Sequence, residues 1–91
     1  MAGRKLRYSR YFQRGFSGLP AEIQSEAETA IRELAQGDLL PSRRPKKRKP
    51  KGRGIWQIRI TRNYRLTYKI DGDVVELLAI GTHDEIERRD C

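Results

Sequence analysis

Three residues in the stretch GIWQIRITRNYRLTYKIDGDVVELLAIGTHDEI (residues 54–86) are of types that do chemistry together: Arg59, Arg65 and His83. Two guanidinium forks on one surface can clamp a phosphate through charge-assisted hydrogen bonds. The same groups can stabilise negative charge that develops on it during a reaction. An imidazole beside such a surface is placed for proton transfer near neutral pH. Each residue also has a plainer reading. The arginines can instead pair with Glu76 or with an acid of the C-terminal tail, and a lone histidine is commonly structural or simply exposed.

The elements that must position these residues are three consecutive antiparallel strands. Asp71-Gly72 is a two-residue hairpin signal, since both central positions of a type I′ turn need positive φ. Pairing Ile70 with Asp73 sets Tyr68 opposite Val75, Leu66 opposite Leu77 and Tyr64 opposite Ala79. A three-residue loop of Thr61, Arg62 and Asn63 pairs Ile60 with Tyr64, Ile58 with Leu66 and Trp56 with Tyr68. Both registers gather Trp56, Ile58, Ile60, Tyr64, Leu66, Tyr68, Val75, Leu77 and Ala79 on one face, and a one-residue slip would scatter that set. The other face presents Gln57, Arg59, Arg65, Thr67 and Lys69, followed by Val74, Glu76, Leu78 and Ile80. This register puts Arg59 directly across from Arg65. Like charges facing each other on a sheet are destabilising, so an anion is expected to offset them.

The N-terminal half supplies cover for the apolar face. Alternation from Arg4 to Tyr8 predicts a short edge strand. Ser9 can cap a helical turn carrying Tyr11, Phe12 and Phe16, and Ser17-Gly18 ends it. Pro20 stands at the expected first position of a second helix. There Ile23, Ala27, Ala30, Ile31 and Leu34 form one apolar stripe, and Gly37 is a natural stop. Between Asp38 and Gly54 lies a basic stretch with Pro41, Pro45 and Pro50. Lysine or arginine occupies eight of the eleven positions from Arg43 to Arg53, with no acid among them. Like charges at that density predict an extended, mobile arm. It reads either as a solvated linker or as an arm that closes on a phosphate backbone.

Ninety-one residues with a formal charge of +8 and 36% hydrophobic content predict a single domain with one modest core. The charge points to a polyanionic partner, nucleic acid before membrane. No apolar run approaches the roughly 20 residues of a membrane span. The opening MAGRKLRYSR lacks the apolar segment of a secretory signal, so a soluble cytoplasmic protein is expected. A single cysteine, Cys91, excludes an intrachain disulfide and a cysteine-based zinc cluster. No metal or other cofactor is expected.

The ordered set Trp56-x-x-Arg59, Asn63-Tyr64-Arg65-Leu66-x-Tyr68 and Gly81-Thr82-His83-Asp84-Glu85-Ile86 resembles the RelE/ParE toxin superfamily. The likeness runs from the strand at Leu6 to His83. It implies a small α+β fold of order β-α-α-β-β-β. Two N-terminal helices would pack on one face of a mainly antiparallel four-stranded sheet, with a short C-terminal helical turn. It further implies a toxin of a toxin–antitoxin pair. RelE-type members cut mRNA in the ribosomal A site by attack of the 2′-hydroxyl, without metal. On that likeness Arg59 and Arg65 would hold the scissile phosphate, and His83 would be the acid/base residue. Lys46, Lys47, Lys49, Lys51, Arg53, Gln57 and Lys69 would contact mRNA or 16S ribosomal RNA. A cognate antitoxin protein is the implied partner, in a toxin–antitoxin hetero-oligomer. Many RelE-type toxins end this motif HDEIY. Here Asp84 and Glu87 are the candidates for the tyrosine's role, and a carboxylate repels RNA rather than stacking on a base.

Two other functions fit the same residues. A ParE-type member would inhibit DNA gyrase by binding alone, and the missing tyrosine favours it. A basic RNA-binding module without toxicity would carry the same charge but have no antitoxin. The sheet-face arginines and His83 favour the ribosome-dependent endoribonuclease.

Overall fold

Alternating apolar and polar residues along Trp56–Ile60 and Tyr64–Tyr68 dictate a sheet with one buried face, and the structure forms it. The structure, a computed structural model, describes residues 3–47 and 54–88. Its elements are β1 (Lys5–Tyr8), α1 (Arg10–Ser17), α2 (Ala21–Gln36), a 3₁₀ turn (Pro41–Arg43), β2 (Lys46–Lys47), β3 (Ile55–Arg59), β4 (Tyr64–Asp71), β5 (Val74–Thr82) and α3 (His83–Arg88). The sheet order is β1-β5-β4-β3-β2, with β1 parallel to β5 and the other pairs antiparallel. This is the expected α+β arrangement with one strand added. Lys46 and Lys47 leave the basic stretch and pair with Gln57 and Trp56, so this part of the arm is sheet rather than free chain. The mixture of lysines and prolines gives no sign of that pairing in sequence, because a two-residue strand has no period to read.

The β3–β4 register is the expected one, with Ile58 opposite Leu66 and Arg59 opposite Arg65. The β4–β5 hairpin is not. Asp71 pairs with Val74, so the two-residue loop is Gly72-Asp73 rather than Asp71-Gly72. Only Gly72 has positive φ there, at 64°, which is the type II′ pattern of glycine at the first loop position. Tyr68 consequently faces Leu77, not Val75. One residue further a β-bulge enters: Thr67 pairs with Ala79, leaving Leu78 as the extra residue. Beyond it the faces exchange. Ile80 turns toward the helices, whereas Ala79 and Gly81 lie across from Thr67 and Arg65. The expected places of Ala79 and Ile80 are therefore reversed.

The helices cover the face predicted for them. Phe12, Ala27, Ala30, Ile31 and Leu34 pack with Ile58, Ile60, Leu66, Tyr68, Val75, Leu77 and Ile80 in one core. Each large apolar side chain in it contributes roughly 1.5–3 kcal/mol by leaving water. Helix α2 begins one residue after Pro20 and stops at Gly37, whose φ of 78° gives the left-handed cap. Gly15 is required in α1, because a Cβ there would lie 2.8 Å from the carbonyl oxygen of Ile80.

Ser9 ties β1, the bulge and α1 together. Its N–H donates to the Leu77 carbonyl, its hydroxyl donates to the Leu78 carbonyl at 2.9 Å, and its Oγ accepts from the Phe12 N–H. The bulge carbonyl thus finds its partner in a helix cap. Ser9→Ala should cost about 1–2 kcal/mol in urea unfolding. Loss of less than a few tenths would mean that water replaces both bonds.

Candidate functional site: a cationic cleft on the second sheet face

The face away from α1 and α2 presents the basic and polar residues expected of it. Part of it is covered, because α3 folds back against β4 and β5. Gln57 and Thr67 are buried in consequence, and Ile86 is 1% exposed. The start of α3 is fixed by a reciprocal pair of bonds. Glu85 N–H donates to Thr82 Oγ1 at 3.2 Å, and Thr82 N–H donates to Glu85 Oε1 at 2.9 Å. This capping box, Thr82-His83-Asp84-Glu85, places His83 at the first helical position. The His83 N–H also donates to the Asn63 carbonyl at 2.6 Å.

Between α3, β3 and the end of the 3₁₀ turn lies a cleft of about 250 Å³. Arg44, Lys46, Gln57, Arg59, Arg65 and His83 line it. Five of these six are residues singled out from the sequence, and the pairing of Arg59 with Arg65 sets both arginines along it. Arg65 is pinned: its Nη1 donates to the carbonyls of Thr61 and Arg62, both at 2.9 Å, and of Tyr64 at 3.1 Å. Burial and the facing Arg59 hold Arg65 below the usual arginine range, and the charge of Glu87 opposes that shift. A cation that is desolvated and crowded by its like is poised to gain from an anion.

The remaining expected contacts divide. Lys47 stands on the other side of β2, its Nζ 5.8 Å from the ring centroid of Trp56 in a cation–π contact. Lys69 is exposed, across from Ile55 and Glu76, and outside the cleft. Lys49, Lys51 and Arg53 lie outside the described residues.

Two residues at or behind the site were read in the sequence only as members of the basic arm. Arg44 reaches the cleft from the cap of the 3₁₀ turn with a φ of 50°, a strained value for a non-glycine residue. Arg43, counted among the arm's free cations, is buried at 6% exposure. Its Nε and Nη2 donate to Glu33, at 3.0 and 3.1 Å, and Nη2 also to Glu26 at 2.9 Å. Its Nη1 donates to the carbonyls of Arg59 and Ile60, at 3.4 and 3.1 Å. Arg43 therefore anchors the base of the arm to α2 and to the end of β3 that carries Arg59. The signal available was Glu26 and Glu33, seven residues apart and so on one side of α2.

Among the described residues, no three His, Cys, Asp or Glu side chains gather as a metal site would require. The donor set of the cleft suits an anion. No helix among the described residues is long and apolar enough to cross a membrane.

A family model for the ParE-like toxin domain matches residues 21–88. The chain belongs to the ParE-like toxin family. This ParE-like domain is similar to solved structures across nearly its whole length. Against a chain of the E. coli DinJ–YafQ toxin–antitoxin complex the TM-score is 0.81, at 14% identity over 92% of this chain and 97% of that one. The YoeB dimer of Staphylococcus aureus gives 0.75 and 16%, covering 90% and 99%. A copper-bound mutant toxin from Helicobacter pylori gives 0.68 and 24%, covering 91% and 98%. At these identities the likeness establishes the fold, which is the RelE/ParE one expected from the motifs. No curated protein matches the chain in sequence.

Proposed function

We propose that this ParE-like domain is the toxin of a toxin–antitoxin pair and acts in the cytoplasm as a ribosome-dependent, metal-independent endoribonuclease. The observation that carries this reading is the cross-strand Arg59–Arg65 pair sharing one cleft with His83. In the proposed reaction the two guanidiniums bind the non-bridging oxygens of an mRNA phosphate in the A site. The neighbouring 2′-oxygen attacks phosphorus and loses its proton. The bond to the 5′-oxygen breaks, and that oxygen gains a proton. The products are a 2′,3′-cyclic phosphate and a 5′-hydroxyl. His83 supplies one of the two proton transfers, and the arginines stabilise the charge that grows on the phosphoryl oxygens. By likeness to the DinJ–YafQ complex, an antitoxin protein restrains the toxin by covering this basic surface.

Expression of wild type and His83→Ala, with primer extension on a translated message, tests the reading. Codon-phased cuts that vanish in the variant are expected. Growth arrest with intact mRNA and gyrase-trapped, linearised plasmid would replace it with the second reading, a gyrase inhibitor acting by binding. That alternative is favoured by one observation, the carboxylate of Glu87 where a stacking tyrosine is expected.

The cleft also predicts which lysine matters. Lys46→Ala should flatten the plot of log K against log salt for single-stranded RNA by about 0.7, one phosphate contact. Lys69→Ala should change it far less, since Lys69 lies outside the cleft. Equal effects in a fluorescence-anisotropy titration would mean that the whole basic face binds diffusely.

A further inference from the structure

A carboxylate of the protein itself stands against two of the residues that line the cleft, Gln57 and His83. Glu87, one turn beyond His83 on α3, turns its carboxylate back toward β3. Its Oε2 accepts from Gln57 Nε2 at 3.3 Å and stands 3.7 Å from His83 Nε2. The other imidazole nitrogen, Nδ1, lies 3.6 Å from Asp84 Oδ1. An imidazole backed by a carboxylate at one nitrogen has the other left for substrate. That second nitrogen is where Glu87 stands. The Glu87 charge also reaches Arg65, where it works against the facing Arg59.

We propose that Glu87 is a resident stand-in for the substrate phosphate: its carboxylate occupies the anion position between Gln57 and His83 in the free protein, and a phosphodiester displaces it on binding. The inference rests on the cleft being a phosphodiester site. A carboxylate and a phosphate at contact distance repel each other, so the two do not share the position. Displacement needs no unfolding. The capping box holds α3 at Thr82 and Glu85, before Glu87, and the Glu87 side chain is 42% exposed. The consequence is selectivity. An isolated anion gains only what the carboxylate gives up, whereas a polymer that also engages Arg44 and Lys46 gains enough to displace it. Glu87 thus acts as a specificity-determining residue, favouring polyanions over single anions.

The test separates binding from cleavage by using a fluorescein-labelled 2′-deoxy oligonucleotide, which lacks the attacking hydroxyl. Wild type is compared with Glu87→Gln and with Glu28→Gln, which removes the same charge from an exposed position on α2. Glu87→Gln is expected to bind about threefold to tenfold tighter, with a salt slope steeper by about 0.7. Glu28→Gln is expected to stay within about twofold of wild type. A second titration uses inorganic phosphate, followed by NMR at the His83 imidazole, and half-saturation is expected at lower phosphate in Glu87→Gln. Unchanged or weaker binding of both probes in Glu87→Gln overturns the displacement; if primer extension on a translated message then shows the cuts lost as well, Glu87 is a proton acceptor instead. If neither protein takes the oligonucleotide but Glu87→Gln takes phosphate more readily, the displacement stands and the phosphodiester reading falls.

Discussion

Arg65→Ala is expected to slow mRNA cleavage on programmed ribosomes by about 100- to 1,000-fold, the usual cost of removing one charge-stabilising donor from an active site. Its stability in urea should stay within about 0.5 kcal/mol of wild type. The two expectations belong together. Arg65 faces Arg59 across the sheet, an arrangement that costs stability. Removing one member relieves that repulsion and releases three loop carbonyls, which water can serve. Loss of activity without loss of stability marks a residue retained for its ligand rather than for the fold. Arg65→Lys sharpens the test, because it keeps the charge but not the planar fork that the three carbonyls orient. It should recover only part of the rate. Single-turnover rates within threefold of wild type for Arg65→Ala would remove Arg65 from the chemistry.

How much of this was legible depends on what sort of signal each residue sends. The β3–β4 register could be read because Trp56, Ile58, Ile60, Tyr64, Leu66 and Tyr68 alternate without interruption through a three-residue loop. It alone brought Arg59 to Arg65. The β4–β5 register could not, because the bulge at Leu78 inserts a residue without changing the apolar character of Leu77-Leu78-Ala79-Ile80. A run that is apolar throughout has no period from which to detect a slip. The Asp71-Gly72 pair then drew the turn one residue early, since Gly72 serves a type II′ turn from its first position as well as a type I′ turn from its second. Residue type gave Arg59, Arg65 and His83 at the cleft, but not Arg44 or Glu87, nor Arg43 behind it. Arg43 looks like any other member of a basic run until the fold places Glu26 and Glu33 beside it. Glu87 reads in sequence only as an absent tyrosine. Its role depends on where the second turn of a six-residue helix points, and that is set by α3 folding over Gln57 and Thr67.

Arg43→Ala is expected to destabilise the fold by about 3 kcal/mol, because it strands the carboxylates of Glu33 and Glu26 and two backbone carbonyls. The figure sits at the low end for a broken buried pair, since the Glu26 side chain is 44% exposed and rehydrates, whereas Glu33 is 13% exposed and does not. The loss should depend on pH in a set direction. In the native protein the hydrogen bond from Arg43, reinforced by the Leu40 N–H and the arginine charge, holds Glu33 below the usual carboxylate range against the opposing effect of burial. A carboxyl depressed on folding adds stability that is complete above its unfolded value of about 4.3 and disappears as pH falls through the native one. Without Arg43, burial, which pushes Glu33 upward, outweighs the remaining Leu40 N–H bond. The gap between wild type and variant should therefore be full at pH 7 and narrow as pH falls into the carboxylate range, where Glu33 is protonated in the variant first. Urea unfolding at pH 7 and pH 4 measures it directly. A gap that does not change with pH would assign the loss to packing of the arginine stem instead. Adding Glu33→Gln to Arg43→Ala separates these further: if the stranded charge dominates, the double variant is more stable than Arg43→Ala alone at pH 7, and the two converge in acid.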